Sequence, residues 1–318
     1  MSIKRIIAVF TTILLLLALA SCAAPMAEVK GLHIICTVFP QYDWVRNILG
    51  EKAEENTLTL LMDNGADLHN YQATAEDLLA IGECDLFIYV GGESDEWATE
   101  ALANHPNEKR KTIRLLDAGA LEVPHIEEDE HDHDHDHEEA LDEHIWLSLQ
   151  RAEIICEKIA LTLGELDPKS KELYQSNAKA YCKSLSDLNK KYAAAAKSGR
   201  RNTLLVGDRF PFLYLAKDYG LEYFAAFSGC STETRASFET LAFLREKLDE
   251  LALPFVVVTE TSDQSVAKSV IANSNDPDRQ ILVLDSLQSV TKKRIEDGET
   301  YLSIMEKNLK ILEQALGA

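Results

Sequence analysis

The feature that most constrains the fold is a helical stretch of about 31 residues that separates two blocks of alternating strands and helices. Between Pro168 and Gly199, apolar residues recur at alternating steps of four and three, the spacing of a helix with one buried face. At roughly 1.5 Å per residue the helix is about 46 Å long. Pro168 is expected at its first position, and Gly199 ends it. The pattern predicts a strut between two lobes; the alternative is a surface helix of the first lobe.

Short apolar runs bounded by turn residues lie on both sides of this helix and alternate with helical segments. Such alternation predicts an α/β fold with parallel sheets flanked by helices. The predicted strands are 32–38, 57–62, 85–90, 112–116, 203–206, 221–227, 255–259 and 281–284. We therefore expect an N-terminal α/β lobe over 31–166, a linking helix over 167–200 and a C-terminal α/β lobe over 201–318.

The amino terminus predicts export. Lys4 and Arg5 precede an apolar run, 6–20, that is too short for a comfortable membrane span and is typical of a secretory signal. The ending Leu-Ala-Ser-Cys resembles a bacterial lipobox, which implies a signal peptide over 1–21 and lipid on Cys22. The alternative is an ordinary signal peptide. We expect a lipid anchor on the outer face of the bacterial cell membrane, with 22–30 as its tether.

The net charge limits the kinds of molecule that the protein is expected to bind. A formal net charge of −21 repels nucleic acid and suits the capture of cations.

The cysteines do not form a recognisable metal cluster. Apart from Cys22, five cysteines remain, and they show no C-x-x-C spacing. They are interpreted mostly as buried apolar residues, with one disulfide left open. These five are Cys36, Cys84, Cys156, Cys182 and Cys230.

A low-complexity tract, 125–143, is dense in histidine and carboxylate and too charged to bury. Imidazole and carboxylate together favour a borderline divalent cation, zinc first. The auxiliary ligands expected from this loop are His131, His133, His135 and His137. The alternative is an acidic solvated linker. His144, where the chain turns apolar beside Trp146, is the better candidate for a fixed ligand.

Further candidates follow predicted strand ends, where open α/β sheets bind their ligands. His69 follows the second strand, and Gly207 with Asp208 follows the fifth. Glu260 and Asp285 follow the seventh and the eighth. No one residue is strong evidence, but histidines of one lobe facing carboxylates of the other would surround a metal in the cleft.

At these residues the chain resembles the solute-binding lipoproteins of zinc and manganese ABC importers. The residues that carry the resemblance are His69 to Thr74 with Asp77-Leu78, Asp142 to Leu147, Phe210 with Tyr219 to Leu221, and Leu284 to Leu287. The resemblance implies two α/β lobes, a rigid linking helix and a metal between the lobes. It also implies His69 and His144 as ligands, Asp285 as the carboxylate of the far lobe, and permease and ATPase partners.

One position departs from the family. The third ligand, usually histidine, falls at Gly207, which offers no side chain. Asp208, Glu233, Glu260, water or a loop histidine could replace it. Two imidazoles with one or two oxygens favour zinc and leave manganese open.

The leading hypothesis is a monomeric zinc receptor of an importer, without catalysis, whose uptake weakens below about pH 6.5 as imidazoles protonate. The alternatives are a manganese receptor of the same family, a zinc hydrolase, and a surface adhesin or metal buffer. No H-E-x-x-H motif supports the hydrolase.

Overall fold

The computed structural model describes residues 31–119, 142–227 and 236–318, and Leu32–Ala318 form one compact unit. The strands are β1 (His33–Cys36), β2 (Thr57–Leu60), β3 (Leu86–Tyr89), β4 (Lys111–Arg114), β5 (Thr203–Arg209), β6 (Glu222–Phe227), β7 (Phe255–Thr259) and β8 (Gln280–Leu284). The α-helices are α1 (Phe39–Leu49), α2 (Ala75–Glu83), α3 (Glu96–Asn104), α4 (Leu115–Ala118), α5 (Leu149–Leu166), α6 (Lys171–Ser198), α7 (Leu213–Tyr219), α8 (Phe238–Glu250), α9 (Ser265–Ala272), α10 (Lys292–Glu296) and α11 (Tyr301–Leu316). Short 3-10 turns cover Gly50–Glu55, Leu68–Asn70, Glu93–Asp95 and Ile145–Leu147.

Two four-stranded sheets form, with strand orders β2-β1-β3-β4 and β6-β5-β7-β8, and every pairing is parallel. The predicted α/β fold with two sheets is thus confirmed. In each sheet the order reverses beside the first strand in sequence, so the loops after neighbouring strands diverge there and leave a crevice. The candidate ligands follow β2, β5, β7 and β8.

The predicted linking helix is α6, and it packs against elements on both sides. Near its start, the Asn177 amide donates to the carbonyl of Ile48 at the end of α1. Near its end, the Tyr192 hydroxyl donates to the carbonyl of Met305 in α11. With 28 residues, α6 is about 42 Å long. Contacts with both α1 and α11 are what a linking helix between two lobes would make, and the division into lobes stays a prediction.

Three local predictions need correction. Pro168 is not the first helical residue: residues 167–170 form a turn that reverses the chain after α5, and α6 begins at Lys171. Strand β5 runs to Arg209 instead of residue 206, with an irregular register between Val206 and Arg209. Helices α3, α4 and α10 were not predicted, and α4 begins at Leu115, within the predicted fourth strand.

The core is apolar and holds the cysteines expected there. Cys36, Cys84, Cys156 and Cys182 are buried free thiols, so no disulfide forms among these four, whereas Cys230 lies outside the described residues. Within the described ranges, no helix has the length and apolarity needed to cross a bilayer.

One buried carboxylate joins three helices. Asp43 of α1 is fully buried and accepts hydrogen bonds from the backbone N–H of Tyr301, at the start of α11, and from the Tyr181 hydroxyl of α6. Arg46 pairs with its other oxygen at 2.9 Å. Burial raises the pKa of Asp43, and these partners oppose the rise. The linking helix is therefore anchored to both its neighbours by one side chain.

Candidate metal centre

His69 lies in the 3-10 turn Leu68–Asn70, just beyond β2. Asp67 caps this turn, because its Oδ1 accepts the backbone N–H of His69 at 3.0 Å. The ring is held from behind: Nδ1 lies 2.6 Å from the Ser94 hydroxyl and 3.5 Å from Oε2 of Glu143. These contacts fix the ring and leave Nε2 facing the opposite way.

His144 is held in the same manner and is only 1% exposed. Oδ1 of Asp142 lies 2.8 Å from the backbone nitrogen and 3.0 Å from Nδ1 of His144. Because a carboxylate only accepts hydrogen bonds, Nδ1 carries the proton and Nε2 keeps its lone pair. Such carboxylate–histidine pairs orient metal ligands and raise their basicity.

The two Nε2 atoms lie 3.5 Å apart, and the ring centroids are 5.4 Å apart. Around a tetrahedral zinc with Zn–N distances of about 2.05 Å, two ligand nitrogens are about 3.3 Å apart. The observed separation therefore matches two imidazoles that share one metal ion.

Burial lowers the pKa of His69, and the neighbouring His144 lowers it further. Asp67 and Glu143 oppose this effect, while Arg209 adds to it. His69 therefore stays neutral below the usual range of imidazole, which is the protonation state that binds metal.

Three hydrogen bonds connect the segment that carries His144 to the part of the chain after α6. The indole Nε1 of Trp146 donates to the carbonyl of Ser286, after β8, at 2.8 Å. The hydroxyl of Tyr301 donates to the carbonyl of Trp146, and that of Tyr214 donates to the carbonyl of Asp142. His144 is therefore positioned by both lobes.

Gly207 lies in the irregular part of β5, and its hydrogen faces α9. A Cβ built at this position would be 2.9 Å from both Cα and Cβ of Ala267. Real Cβ atoms essentially never approach so closely. The absence of a side chain here is therefore required by the packing of α9 on the sheet.

The predicted carboxylates of the second lobe are engaged elsewhere. Asp208 turns to β7, where its Oδ2 accepts the N–H and hydroxyl of Thr259. Asp285 accepts from Arg294 at 2.6 Å and from the N–H of Leu287. Both oxygens of Glu260 accept from Ser286, and burial raises the pKa of Glu260.

The structure thus brings together His69 and His144 but does not join Asp208 or Asp285 to them. Within residues 31–119, 142–227 and 236–318, no three His, Cys, Asp or Glu side chains stand together as a finished metal site. The other predicted residues lie outside the described ranges: Cys22, His131, His133, His135, His137 and Glu233.

Arg209 and Asp67 meet in the cleft and were not predicted. The Arg209 guanidinium, at the end of β5, lies 3.1 Å from Oδ2 of Asp67. Both line a cavity of about 250 Å³ that also contains Gly207 and Gln288. The positively charged side chain of Arg209 therefore lies on the side of the cleft where Gly207 replaces the family's third ligand.

The carboxylates that position the two histidines were not predicted either, although the sequence carries a signal for them. Asp67 and Asp142 each precede a candidate histidine by two residues, in a repeated Asp-x-His pattern. In both copies the aspartate accepts the backbone N–H of its histidine. Arg209 had no such signal, because its partner is 142 positions away.

Comparison with known proteins identifies relatives over almost the whole chain. A family model described as ZnuA, zinc-uptake complex component A, periplasmic, matches residues 34–315. The zinc-binding lipoprotein AdcA of Streptococcus pneumoniae strain R6 is 32% identical over 301 residues, covering 94% of this chain and 58% of AdcA. The chain thus spans a little over half the length of that relative.

One further relative and one solved domain of AdcA match over nearly their full length. The high-affinity zinc uptake system protein ZnuA of Bacillus subtilis strain 168 is 30% identical over 298 residues, which cover 91% of this chain and 90% of that protein. The crystal structure of the Zn(II)-bound ZnuA-like domain of S. pneumoniae AdcA superposes with a TM-score of 0.73 at 28% identity, covering 91% of this chain and 100% of that domain.

Proposed function

Because the chain belongs to the zinc-uptake complex component A family, we propose that it is the zinc-binding receptor of an ABC importer. In this role it captures Zn²⁺ outside the cytoplasm and delivers it to a permease that is driven by an ATPase. The observation that carries the proposal is the 3.5 Å separation of the Nε2 atoms of His69 and His144, with the Nδ1 of each ring hydrogen-bonded from behind, by Ser94 and by Asp142 respectively.

The two histidines bind the ion, and their partners prepare them for it. Asp142 keeps His144 in the tautomer with the proton on Nδ1, and the Ser94 hydroxyl, with Glu143 nearby, fixes the ring of His69. Glu143 is accommodated because Gly92 has no side chain, since a Cβ there would lie 2.2 Å from its Oε1. Little rearrangement is then needed when zinc arrives, which favours tight binding.

Zinc is the proposed cargo in preference to manganese. Two imidazole nitrogens at tetrahedral spacing suit Zn²⁺, whereas Mn²⁺ prefers six ligands that are mostly oxygen. The names of AdcA and of the B. subtilis ZnuA state zinc for those proteins, which supports the same cargo here.

The placement and assembly of the protein complete the proposal. It acts as a monomer anchored to the outer membrane face by lipid on Cys22, and 125–143 gathers zinc for the cleft through His131, His133, His135 and His137. It performs no catalysis. Loss of loop histidines then lowers uptake at limiting zinc without removing the cleft site.

Competition for zinc between the protein and a chromogenic chelator tests the proposal. We would use the full chain carrying His131→Ser, His133→Ser, His135→Ser and His137→Ser, hereafter the loop-substituted protein. One tight zinc equivalent that His144→Ala removes, and that exceeds the affinity for Mn²⁺, supports the receptor. Equal retention by His144→Ala would overturn it, as would turnover of an ester or peptide that depends on His144.

A further inference from the structure

The ion pair between Asp67 and Arg209 joins the loop after β2 to the end of β5, and its carboxylate lies beside His69. Both side chains are partly buried, with exposed fractions of 20% for Asp67 and 29% for Arg209. A fixed cation in a cleft that receives a dication opposes binding by Coulomb repulsion. If the guanidinium stayed in place, it would therefore weaken zinc binding.

Asp67 is the carboxylate that faces the metal side of the histidine pair. Its Oδ1 lies 4.0 Å from Nε2 of His69, the nitrogen that the site directs at the ion. Ligand atoms around tetrahedral zinc lie about 3.3 Å apart, so this oxygen is about 0.7 Å farther from Nε2 of His69 than a shared ion requires, and Asp67 has to move toward His69 when zinc binds. Glu143, by contrast, contacts the Nδ1 side of His69, away from the ion.

Within the described ranges, only Asp67 and Glu143 have a carboxylate oxygen within 4.0 Å of a ring nitrogen of His69, and only Asp67 makes its closest approach to Nε2. Asp285 has the same kinds of partner as Asp67, an arginine and a backbone N–H, so the position beside His69 is what distinguishes Asp67. Gly207 cannot carry a ligand, because α9 fills the space of its Cβ. A third ligand from the described residues is therefore best supplied by the first lobe, next to His69.

We propose that Asp67 is the third zinc ligand and that Arg209 is its counter-ion in the metal-free protein, released when zinc binds. The inference rests on the proposed zinc-receptor function and adds a ligand and a competitor to it. Without metal, the guanidinium neutralises a carboxylate that would otherwise be partly buried and unpaired. Zinc takes over that neutralisation.

The cavity beside the pair can receive the released side chain. It measures about 250 Å³ and is lined by Asp67, Arg209 and Gln288. Gln288 is 7% exposed, and its Oε1 has no hydrogen-bond partner in the described part of the chain. A buried acceptor without a donor is costly, and an N–H of the released guanidinium would satisfy it.

Zinc competition titrations of single and double variants in the loop-substituted protein test the proposal. Asp67→Asn keeps an oxygen that can accept the N–H of His69 but removes the anionic ligand, so zinc affinity should fall at least tenfold, about the loss seen for weaker outer contacts. Arg209→Ala removes the competitor and should tighten binding by up to about fivefold, the value of an exposed ion pair. In the Asp67→Asn background, Arg209→Ala should have a much smaller effect.

Matched controls make the same chemical changes at residues outside the proposed ligand pair. Asp63→Asn lies earlier on the loop that carries Asp67, and Arg245→Ala breaks a pair with Asp249 inside α8; both should leave zinc affinity unchanged. X-ray absorption of the zinc-loaded protein gives an independent readout that needs no variant. It should show at least one carboxylate oxygen at about 2.0 Å beside two imidazoles.

The outcomes separate this inference from the proposed function. An unchanged affinity of Asp67→Asn, or weaker binding by Arg209→Ala, overturns the ligand and competitor roles, even when His144→Ala abolishes binding as the receptor requires. Zinc binding that is insensitive to His144→Ala overturns the proposed function itself.

Discussion

The indole of Trp146 donates a 2.8 Å hydrogen bond to the carbonyl of Ser286, across 140 positions of sequence. This bond joins the segment that carries His144 to the loop after β8, and both groups are buried. One ligand of the proposed metal site is therefore held by the lobe opposite the one that supplies His69. The cleft is closed at this point by direct contact, before any metal binds.

Trp146→Phe should destabilise the protein, because the carbonyl of Ser286 loses its donor while remaining buried. We expect the free energy of unfolding to fall by about 1–3 kcal/mol. Denaturant unfolding of the metal-free protein measures this. Trp97→Phe is the matched control, since the indole N–H of Trp97 is buried but has no partner in the described part of the chain. Equal losses for the two variants would contradict the account.

Asp142→Ala should weaken zinc binding without removing a ligand atom. Asp142 fixes both the backbone and the Nδ1 proton of His144, and loss of such a partner lowers metal affinity about 10- to 100-fold. Competition titration measures the change in the loop-substituted protein. Asp63→Ala should bind like the parent protein. An affinity of Asp142→Ala within twofold of the parent would refute the orienting role.

Gly207→Ala should destabilise the protein by about 1–3 kcal/mol, because the added methyl group meets the backbone and side chain of Ala267. Ala267→Gly removes one of the two contacting carbons and should recover part of the loss in the double variant. Thermal unfolding of the metal-free proteins measures both effects. For the same reason Gly207→His, which restores the usual family residue, should fail to tighten zinc binding.

Stability should depend on pH through Asp95. Burial raises the pKa of Asp95 to about 6, while the N–H groups of Val90 and Gly91 limit the rise. The folded state then binds a proton that the unfolded state, with a pKa near 3.8, has lost. The contribution of this group is fully present below about pH 4 and disappears as the pH rises through about 6, on the order of 3 kcal/mol in total.

The variant Asp95→Asn isolates this group, because an amide oxygen can still accept the two backbone N–H groups. Its free energy of unfolding should vary less between pH 4 and 6.5 than that of the parent protein, and should exceed it at pH 7. Denaturant titrations at fixed pH values give both numbers. An unchanged pH profile would show that Asp95 is not the group responsible.

Zinc affinity should begin to fall at a lower pH than the value of about 6.5 expected from free imidazole. Free imidazole protonates near pH 6.5, but burial and His144 lower the pKa of His69, so the proton competes with zinc at this residue only at lower pH. Competition titrations between pH 5 and 8 should therefore show a decline that begins below 6.5. A decline that begins above 6.5 would contradict this electrostatic environment.

The sequence was sufficient for the fold because its signals are local. Each strand is a short apolar run, and α6 repeats an apolar residue every three or four positions, so these patterns predicted all eight strands and the longer helices but not the short helices α3, α4 and α10. The boundary at Pro168 was wrong because the chain forms a local turn between α5 and α6, closed by the hydrogen bond from the N–H of Ser170 to the carbonyl of Asp167, before α6 begins.

The candidate site was only partly predictable, since side-chain orientation depends on partners distant in sequence. His69 and His144 were identified from their positions, whereas the directions of Asp208 and Asp285 are set by Thr259 and Arg294. No role could be assigned to Arg209 from the sequence, because its partner Asp67 is 142 positions away in the chain. The positions of predicted strand ends identified the candidate ligands, but only the packing of the folded chain determines which of their side chains come into contact.

The most direct test of the central claim is the zinc content of three proteins at equal concentration, two to be compared and one control, measured after equilibration with a competing chelator. One is the loop-substituted protein, and the other is the same protein with His144→Ala; His105→Ala, a histidine at the end of α3, is the control. The account predicts one zinc equivalent in the first and in the control, and none in the His144→Ala variant. Loss of tight zinc from all three proteins, with normal binding by the unsubstituted chain, would place binding in the loop and contradict a receptor site in the cleft.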